Sequence, residues 1–254
     1  MFDAVAVKND IVKFIRDYYT KHNIKGAVLG ISGGKDSAVV AALLVEAIGA
    51  NNVVGISMPC HSIPKDRDLA KVFCEKYGIR LYNCDLTDTF DTMEKSILEG
   101  YTLSKEENRK NSSINLKPRL RMSTVYYYAA MLTDIEKGLY LVAGTSNKCE
   151  RFVGYFTKGG DNVYDIAPIA DLTVDEVIAV GEVLGVPHEI LHRPPSDGLS
   201  GMTDEDNLGV KYSDIAKYIN GEELDQDIKD KIERLHQNSR HKFDDNIYRK
   251  NIWE

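Results

Sequence analysis

The sequence predicts an α/β fold: a Rossmann-like, doubly wound parallel sheet with helices on both faces, in a single domain (1–254) that closes with C-terminal helices. Three observations predict it. Apolar runs of strand length alternate with segments of helical periodicity. A glycine-rich turn at residues 30–37 joins the first apolar run to a helix. The length of 254 residues, 43% of them hydrophobic, suits one sizeable core.

The predicted strands are four short apolar runs. Parallel strands buried on both faces have this near-continuous apolar character. The runs cover residues 24–31, 53–58, 79–84 and 139–143. A shorter stretch at 163–166 indicates one further strand.

Helical spacing of apolar residues fills the intervals between the strands. Pro118 suits a first helical turn and starts a long helix, whereas the polar stretch 99–115 before it is interpreted as a mobile connection. Residues 173–176 form a capping box, and 203–206 cap another turn. The predicted helices cover about 7–18, 38–48, 69–77, 85–98, 118–137, 174–184, 215–219 and 228–235.

Composition excludes several classes of function. The net charge of −7 argues against a general nucleic-acid binder. The charged N-terminus is unlike a signal peptide, and no long apolar run could span a membrane, so a cytoplasmic location is expected. The four cysteines contain no C-x-x-C pair, which disfavours a zinc or iron–sulfur site and favours free thiols.

The glycine-rich turn has the chemistry of an anion site. It consists of Gly30, Ile31, Ser32, Gly33, Gly34, Lys35, Asp36 and Ser37. Backbone N–H groups between a strand and a helix N-terminus suit phosphate. It is not a Walker A loop, because Asp36 replaces the required Ser or Thr and Leu29 replaces the first glycine. Instead it resembles the pyrophosphate loop of the N-type ATP pyrophosphatases; an ordinary glycine-rich turn is the alternative.

Other candidate residues are weaker when each is taken alone. Glu150 follows the fourth strand at the same predicted sheet edge as Asp36, so the two carboxylates could share a Mg²⁺ ion. Residues 154–161 place aromatics beside a Gly-Gly turn, which indicates either a platform for a flat ring or a hairpin with core aromatics. Scattered cations are either solvated surface or anion contacts: Lys117, Arg119, Arg121, Lys158, Arg193, Arg240 and Lys242.

Taken together, these motifs resemble those of the ammonia-dependent NAD⁺ synthetases over nearly the whole chain. The loop alone is shared with GMP synthetase and tRNA-thiolating enzymes. The narrower motifs occur in the same order as in the family: Lys117-x-Arg119-x-Arg121-Met122, Gly144-Thr145, Glu150, Gly154-Tyr155-Phe156-Thr157-Lys158, Asp165, Pro194-x-Ser196-Asp197-x-Leu199 and His241-Lys242.

The resemblance implies a role for each matching residue. ATP would contact the loop together with Thr145 and Ser196, where the family often has Thr. Lys35 and Asp36 would be catalytic, and Asp36 and Glu150 would bind Mg²⁺. The residues implied for deamido-NAD⁺ are Arg119, Lys158, Asp165, His241 and Lys242.

One position departs from the family pattern. Val174 stands where the family usually places a Lys that reaches ATP. Either another cation, such as Arg193, substitutes for it, or ATP binds more weakly. With Val174 there, Lys35 is expected to carry more of the phosphate charge.

The resemblance also implies a reaction and partners. Deamido-NAD⁺, ATP and ammonia would give NAD⁺, AMP and pyrophosphate through an adenylated nicotinate carboxylate. A homodimer is implied, and stretches 99–115 and 195–207 are expected to cover the site. No glutaminase motif is recognised, so ammonia would be free or supplied by a separate protein.

Two alternatives remain open at this stage. One is another N-type ATP pyrophosphatase, amidating or tRNA-thiolating, although a thiolating enzyme would be expected to carry added cysteines and a basic surface. The other is a non-catalytic nucleotide sensor, which would have no need of the Asp36 and Glu150 pair.

Overall fold

The computed structural model describes residues 2–62, 64–99, 110–193 and 203–243. Within them, four strands form one parallel sheet in the order β3-β2-β1-β4. The chain therefore winds outward from β1 first in one direction and then in the other, which confirms the predicted doubly wound parallel sheet. The strands are Ile24–Gly30 (β1), Val53–Ser57 (β2), Arg80–Asn83 (β3) and Leu139–Val142 (β4).

Helices connect the strands and follow the last of them. None of the described helices is both long enough and apolar enough to cross a membrane. Their bounds are Ala4–Lys21 (α1), Lys35–Ile48 (α2), Pro64–Tyr77 (α3), Thr87–Glu99 (α4), Lys110–Glu136 (α5), Lys148–Val153 (α6), Val174–Val183 (α7), His188–Leu191 (α8), Asp204–Leu208 (α9), Tyr212–Ile219 (α10) and Gln226–Ser239 (α11).

The two faces of the sheet bury different helices. Alternate residues of β1 point to opposite faces, as strand geometry requires. Ala27 and Leu29 pack in a core with residues of α1, α2, α3, α7 and α8. Val28 packs in a second core with α5, which covers the other face. Burying both faces explains why the strands read as continuous apolar runs rather than as alternating ones.

The C-terminal helices form a satellite core beside the sheet. Apolar side chains of α9, α10 and α11 pack against α6, with Ile215 and Ile232 fully buried. The predicted C-terminal helices are therefore present. Because α6 directly follows the carboxyl end of β4, this satellite core holds α6 against the sheet edge.

Two predictions about local structure are wrong. Residues 163–166 form no strand; a single parallel bridge joins Ala143 to Ile166. The long helix α5 begins at Lys110 rather than near Pro118, which lies inside it. Pro118 lacks an N–H and removes one helical hydrogen bond, but the helix continues through it. Residues 110–115 are thus helical and not part of a mobile connection, while 100–109 lie outside the described residues.

Candidate active site

The carboxyl ends of the strands open into a cavity of about 650 Å³. Parallel sheets bind ligands at this edge. The walls come from the loop after β1, the end of β2, one face of α5, the chain from Val142 to Glu150, and Lys242 near the end of α11. Every residue of the glycine-rich loop except Gly33 lines it, and so do Thr145 and Glu150. The structure therefore brings Thr145 and Glu150 to the same cavity as the loop, and the predicted ligand roles of these residues stay predictions.

Hydrogen bonds within the glycine-rich loop fix its bend. Ser37 Oγ donates to the Gly34 carbonyl at 3.1 Å and accepts from Ser32 N–H at 3.3 Å. Gly34 N–H donates to Ser32 Oγ at 3.2 Å. Gly33 has φ +79°, a backbone conformation that glycine adopts without strain. The loop thus turns directly into α2, whose N-terminus has no side-chain cap and is therefore suited to binding an anion.

Lys35 is a buried cation at the start of α2. Its side chain is only 9% exposed, and Nζ lies 3.3 Å from Asp36 Oδ2. Burial alone would lower the pKa of Lys35, but the carboxylates of Asp36, Glu150 and Asp204 outweigh it, so the pKa is raised. Lys35 therefore remains protonated and available to a phosphate oxygen.

Glu150 comes from α6, which the sequence did not predict as a helix. Asn147 caps α6: its Oδ1 accepts from Glu150 N–H at 3.0 Å, and its own N–H donates to Glu150 Oε2 at 3.0 Å. Burial raises the pKa of Glu150 well above its usual range, and the nearby Asp36 raises it further. Ionising both carboxyl groups at once is therefore unfavourable here unless a cation lies beside them, and Lys35 is the cation that the protein itself supplies.

The donor set fits Mg²⁺ bound together with a nucleotide. Magnesium is usually held by one or two carboxylates, with water and substrate phosphates completing six positions. Asp36 and Glu150 supply the carboxylates at the cavity wall. Among the described residues, no group of three or more His, Cys, Asp or Glu side chains is arranged to hold a metal. This wall therefore suits a shared ion better than a fully protein-bound one.

Sequence reasoning missed Asp204, a third carboxylate in the cavity lining. It is the first residue of α9, and its Oδ1 accepts from Tyr155 O–H at 3.2 Å. The capping signal at Thr203 is correct, since Asp206 N–H donates to Thr203 Oγ1 at 3.1 Å. The cap predicted a helix start, but nothing local indicated that this helix faces the loop.

Arg121, one of the scattered cations of the sequence, also lines the cavity. Its Nε donates to the Met58 carbonyl at 3.3 Å, which ties α5 to the end of β2. Burial lowers the pKa of Arg121, while Cys60 and Asp161 act in the opposite direction. Helical spacing in the motif Lys117-x-Arg119-x-Arg121 could have indicated this position. Residues four apart share a helix face, so Arg121 lies on the face of Lys117, whereas Arg119, two residues from each, does not.

Of the five residues predicted to bind deamido-NAD⁺, only Lys242 lines the cavity. Its Nζ donates to the carbonyls of Gly154 and Phe156 at 2.7 and 2.8 Å. Three others form a chain of contacts: Arg119 Nη2 donates to the Lys158 carbonyl at 3.2 Å, and Lys158 Nζ donates to the His241 carbonyl at 2.8 Å. We call Arg119, Lys158 and His241 the exposed basic cluster.

Asp165 lies apart from the exposed basic cluster. Its Oδ2 accepts from Val142 N–H at 2.7 Å, at the end of β4, and its Oδ1 accepts from Tyr126 O–H at 3.2 Å. Both bonds support the strand end. The implied role of Asp165 in substrate binding stays a prediction.

Two remaining positions concern ATP. Ser196 lies outside the described residues, so its predicted ATP contact stays untested. Val174 packs half-buried against the satellite core, where an apolar side chain is stable. Arg193, the cation named as its substitute, lines the cavity.

Comparison with known proteins supports one family. The family model for NAD synthase matches residues 7–246. The NH₃-dependent NAD⁺ synthetase of Finegoldia magna is 38% identical over 238 residues, which cover 92% of this chain and 91% of that protein.

Solved structures agree with this result. The NMN synthetase of Francisella tularensis is 30% identical and superposes with a TM-score of 0.87 over 98% of this chain and 100% of that one. The NH₃-dependent NAD synthetase of Campylobacter jejuni, in complex with nitrate, is 25% identical, with a TM-score of 0.76 over 98% and 100% of the two chains. The chain is a member of the NAD synthase family.

Proposed function

We propose that this chain amidates deamido-NAD⁺ with ammonia at the expense of ATP, giving NAD⁺, AMP and pyrophosphate. The observation that carries the proposal is the meeting of three side chains at one cavity wall: Lys35 and Asp36 of the glycine-rich loop, and Glu150 of α6. A sensor that only binds nucleotide has no need of paired carboxylates beside a buried lysine. Membership of the NAD synthase family supports the same reaction.

The glycine-rich loop is proposed to hold the phosphates of ATP. Its backbone N–H groups and Lys35 would bind the β- and γ-phosphates, which leave as pyrophosphate. A carboxylate oxygen of the acceptor attacks the α-phosphorus, and the bond to the bridging oxygen of pyrophosphate breaks. The products of this step are an acyl adenylate and pyrophosphate. Thr145 and Ser196 are proposed as further ATP contacts.

Asp36 and Glu150 are proposed to hold Mg²⁺ between the protein and the ATP phosphates. When bound, the ion would neutralise charge that develops on the leaving pyrophosphate. The two carboxylates would thereby lose their mutual repulsion only when nucleotide and metal are present. This arrangement couples productive metal binding to ATP binding.

The second half of the reaction consumes ammonia. Its lone pair attacks the acyl carbon of the adenylate, AMP leaves, and one proton of the added nitrogen is lost as the amide forms. Water would compete for the same carbon, so the site must exclude it. Of the two stretches expected to cover the site, Glu99 belongs to α4, 110–115 to α5 and 204–207 to α9, so the predicted covering role is kept only for 100–109 and 195–202, which lie outside the described residues. Ammonia would be free or come from a separate protein.

The acceptor is proposed to lie between the cavity and the exposed basic cluster. Lys242 at the cavity and Arg119, Lys158 and His241 outside it would offset the two phosphates of a dinucleotide. A homodimer and a cytoplasmic location remain proposals; the described cysteines are all unpaired thiols, in keeping with a reducing compartment.

A second candidate acceptor is the mononucleotide, nicotinate mononucleotide, which would give NMN. Two observations favour it. The NMN synthetase superposes on this chain more closely than the NAD synthetase of Campylobacter jejuni does. The cavity also receives only one of the five side chains expected for a dinucleotide. The chemistry at the carboxylate is the same in both cases.

One assay separates these proposals. The protein is incubated with ATP, Mg²⁺ and ammonium, with either deamido-NAD⁺ or nicotinate mononucleotide, and kcat/KM is measured for each acceptor. We expect AMP and NAD⁺, with the higher kcat/KM for deamido-NAD⁺. A higher value for the mononucleotide would establish the second candidate. ADP as the nucleotide product would overturn both.

A further inference from the structure

Asn147 lies between the two carboxylates that we propose as metal ligands. Its side chain is fully buried, with 0% of the residue exposed. It comes from the turn between β4 and α6, whereas Asp36 belongs to α2, 111 residues earlier in the chain. Asn147 therefore joins the turn before α6 to the start of α2.

Each polar group of Asn147 has a defined partner. Its Oδ1 accepts from Glu150 N–H and its backbone N–H donates to Glu150 Oε2, both at 3.0 Å. Its Nδ2 donates to Asp36 Oδ1 at 3.3 Å. One residue thus holds one oxygen of Asp36 and one oxygen of Glu150. The other oxygen of Asp36 lies beside Lys35 Nζ.

Capping α6 does not by itself require asparagine. Ser and Asp accept the capping hydrogen bond and are favoured about as strongly as Asn at this position, with Thr somewhat less favoured. An asparagine side chain joins an acceptor and a donor in one planar amide, so it can cap a helix and bind a carboxylate at once. A serine at the same place would keep the acceptor but would have no amide to reach Asp36.

We propose that Asn147 is a positioning residue that fixes the orientation of Asp36 relative to Glu150 and so determines how tightly the pair binds a divalent cation with nucleotide. The inference rests on the proposed function of these carboxylates as metal ligands. Partners that orient metal ligands typically contribute about 10- to 100-fold to metal affinity. Asn147 does this without contacting the cation itself.

The test uses two substitutions that separate the donor from the cap. Asn147→Ser removes only the donor to Asp36, and Asn147→Ala removes both donor and cap. The binding of Mn²⁺ in the presence of α,β-methylene-ATP is measured by electron paramagnetic resonance, and Tm is measured for each variant. Asp3→Ala is the control, because Asp3 caps α1 by accepting from Val5 and Ala6 N–H, away from the cavity.

We expect both Asn147 variants to bind Mn²⁺ about 10-fold more weakly than the wild type, with Tm lowered more in Asn147→Ala, which also loses the cap, than in Asn147→Ser. Asp3→Ala should lower Tm and leave Mn²⁺ binding unchanged. The inference is overturned if Asn147→Ser binds Mn²⁺ like the wild type, or if it matches Asn147→Ala in Tm as well as in affinity.

A further variant separates failure of this inference from failure of the proposed function. Asp36→Asn removes one proposed ligand outright and should abolish Mn²⁺ binding with the nucleotide analogue. If Asp36→Asn binds Mn²⁺ like the wild type, the metal site itself is wrong, and the inference falls with it. If Asp36→Asn loses binding while Asn147→Ser keeps it, only the role of Asn147 is wrong.

Discussion

Glu136 and Glu150 lie at opposite ends of the same parallel sheet, and their carboxyl groups have opposite surroundings. Glu136 ends α5 at the amino edge of the strands. It accepts from Tyr140 O–H at 2.6 Å and from Arg80 Nη1 at 2.5 Å, and Lys25 Nζ lies 3.1 Å away. These hydrogen bonds, with Tyr140 first and then Arg80, lower the pKa of Glu136 to about 2.

At the carboxyl edge of the sheet, the surroundings of Glu150 disfavour its charged form instead of stabilising it. Glu150 is half-buried beside Asp36, and desolvation together with the Asp36 carboxylate raises its pKa well above the usual range. Lys35 is the nearby cation, and it is shared by Asp36, Glu150 and Asp204. The amino edge thus satisfies its charges within the protein, whereas the carboxyl edge leaves negative charge for a metal and cationic groups for phosphate.

This difference separates stability from function in the molecule. Charged groups at the amino edge are paired with one another, so they stabilise the fold and are not available to bind a ligand. Like charges held close at the carboxyl edge lower stability, as functional sites commonly do, and become favourable only when ligands arrive. Substitutions at the two edges should therefore have different consequences, and the following predictions test this.

The largest effect is expected from Asp36→Asn, which keeps the shape of the side chain and removes its charge. Turnover should fall about 100-fold or more, because one proposed metal ligand beside the pyrophosphate is lost. Tm should change little, since relief of the repulsion with Glu150 offsets the lost contact with Lys35. Initial rates of AMP formation and a thermal melt measure both, and a large drop in Tm would contradict the comparison.

The matched substitution at the amino edge is Glu136→Gln. It leaves Arg80 and Lys25 without their carboxylate, and we expect a loss of about 1–2 kcal/mol in the free energy of unfolding at pH 7, reduced by partial solvent exposure. The kcat should remain that of the wild type. Urea unfolding and steady-state kinetics test this. A loss of activity without a loss of stability would show that the two edges are not separate.

The pH dependence of this stabilisation has a definite sign. The pKa of Glu136 is about 2 in the folded protein and is expected near its ordinary value of 4.5 in the unfolded chain. A lowered pKa stabilises the protein above the unfolded value, and this contribution is lost as pH falls from about 4.5 toward 2. The stability difference between wild type and Glu136→Gln should therefore shrink over that range, and a constant difference would contradict the pairing.

The smallest effect is expected from Tyr140→Phe. It removes a hydroxyl that donates to Glu136 and accepts from Arg80 Nη2 at 3.1 Å. We expect a loss of about 1 kcal/mol in stability, the usual net value of one hydrogen bond, and no change in KM for ATP. Denaturant titration has the precision to detect it. A loss greater than that of Glu136→Gln would mean that the hydroxyl, rather than the carboxylate, organises the amino edge.

The sequence alone predicted those parts of the site that depend on the order of strands, loops and helices along the chain. The loop lies between a strand and a helix, so its phosphate-binding character follows from residues 30–37 alone. Asp36 and Glu150 were paired because both follow strands of one parallel sheet, whose carboxyl ends share an edge. Both residues line the same cavity, and their joint binding of a metal stays a prediction.

What the sequence did not predict depends on distant packing. Asp204 reaches the cavity because the satellite core holds α9 against α6, and a capping box does not encode that contact. In the sequence, Asn147 indicates only a helix cap or a turn. Its contact with Asp36 exists because the fold brings the start of α2 next to α6. The start of α5 was misplaced because Pro118 is a good first-turn residue, and tertiary packing outweighed that preference.

The central claim is that the carboxyl edge activates a carboxylate by adenylation. Deamido-NAD⁺ labelled with ¹⁸O in its nicotinate carboxylate tests it most directly. Attack of that carboxylate on the α-phosphorus of ATP, followed by displacement with ammonia, should leave one ¹⁸O atom in AMP, detected by mass spectrometry. Unlabelled AMP, or label found in pyrophosphate or in ADP, would contradict the account.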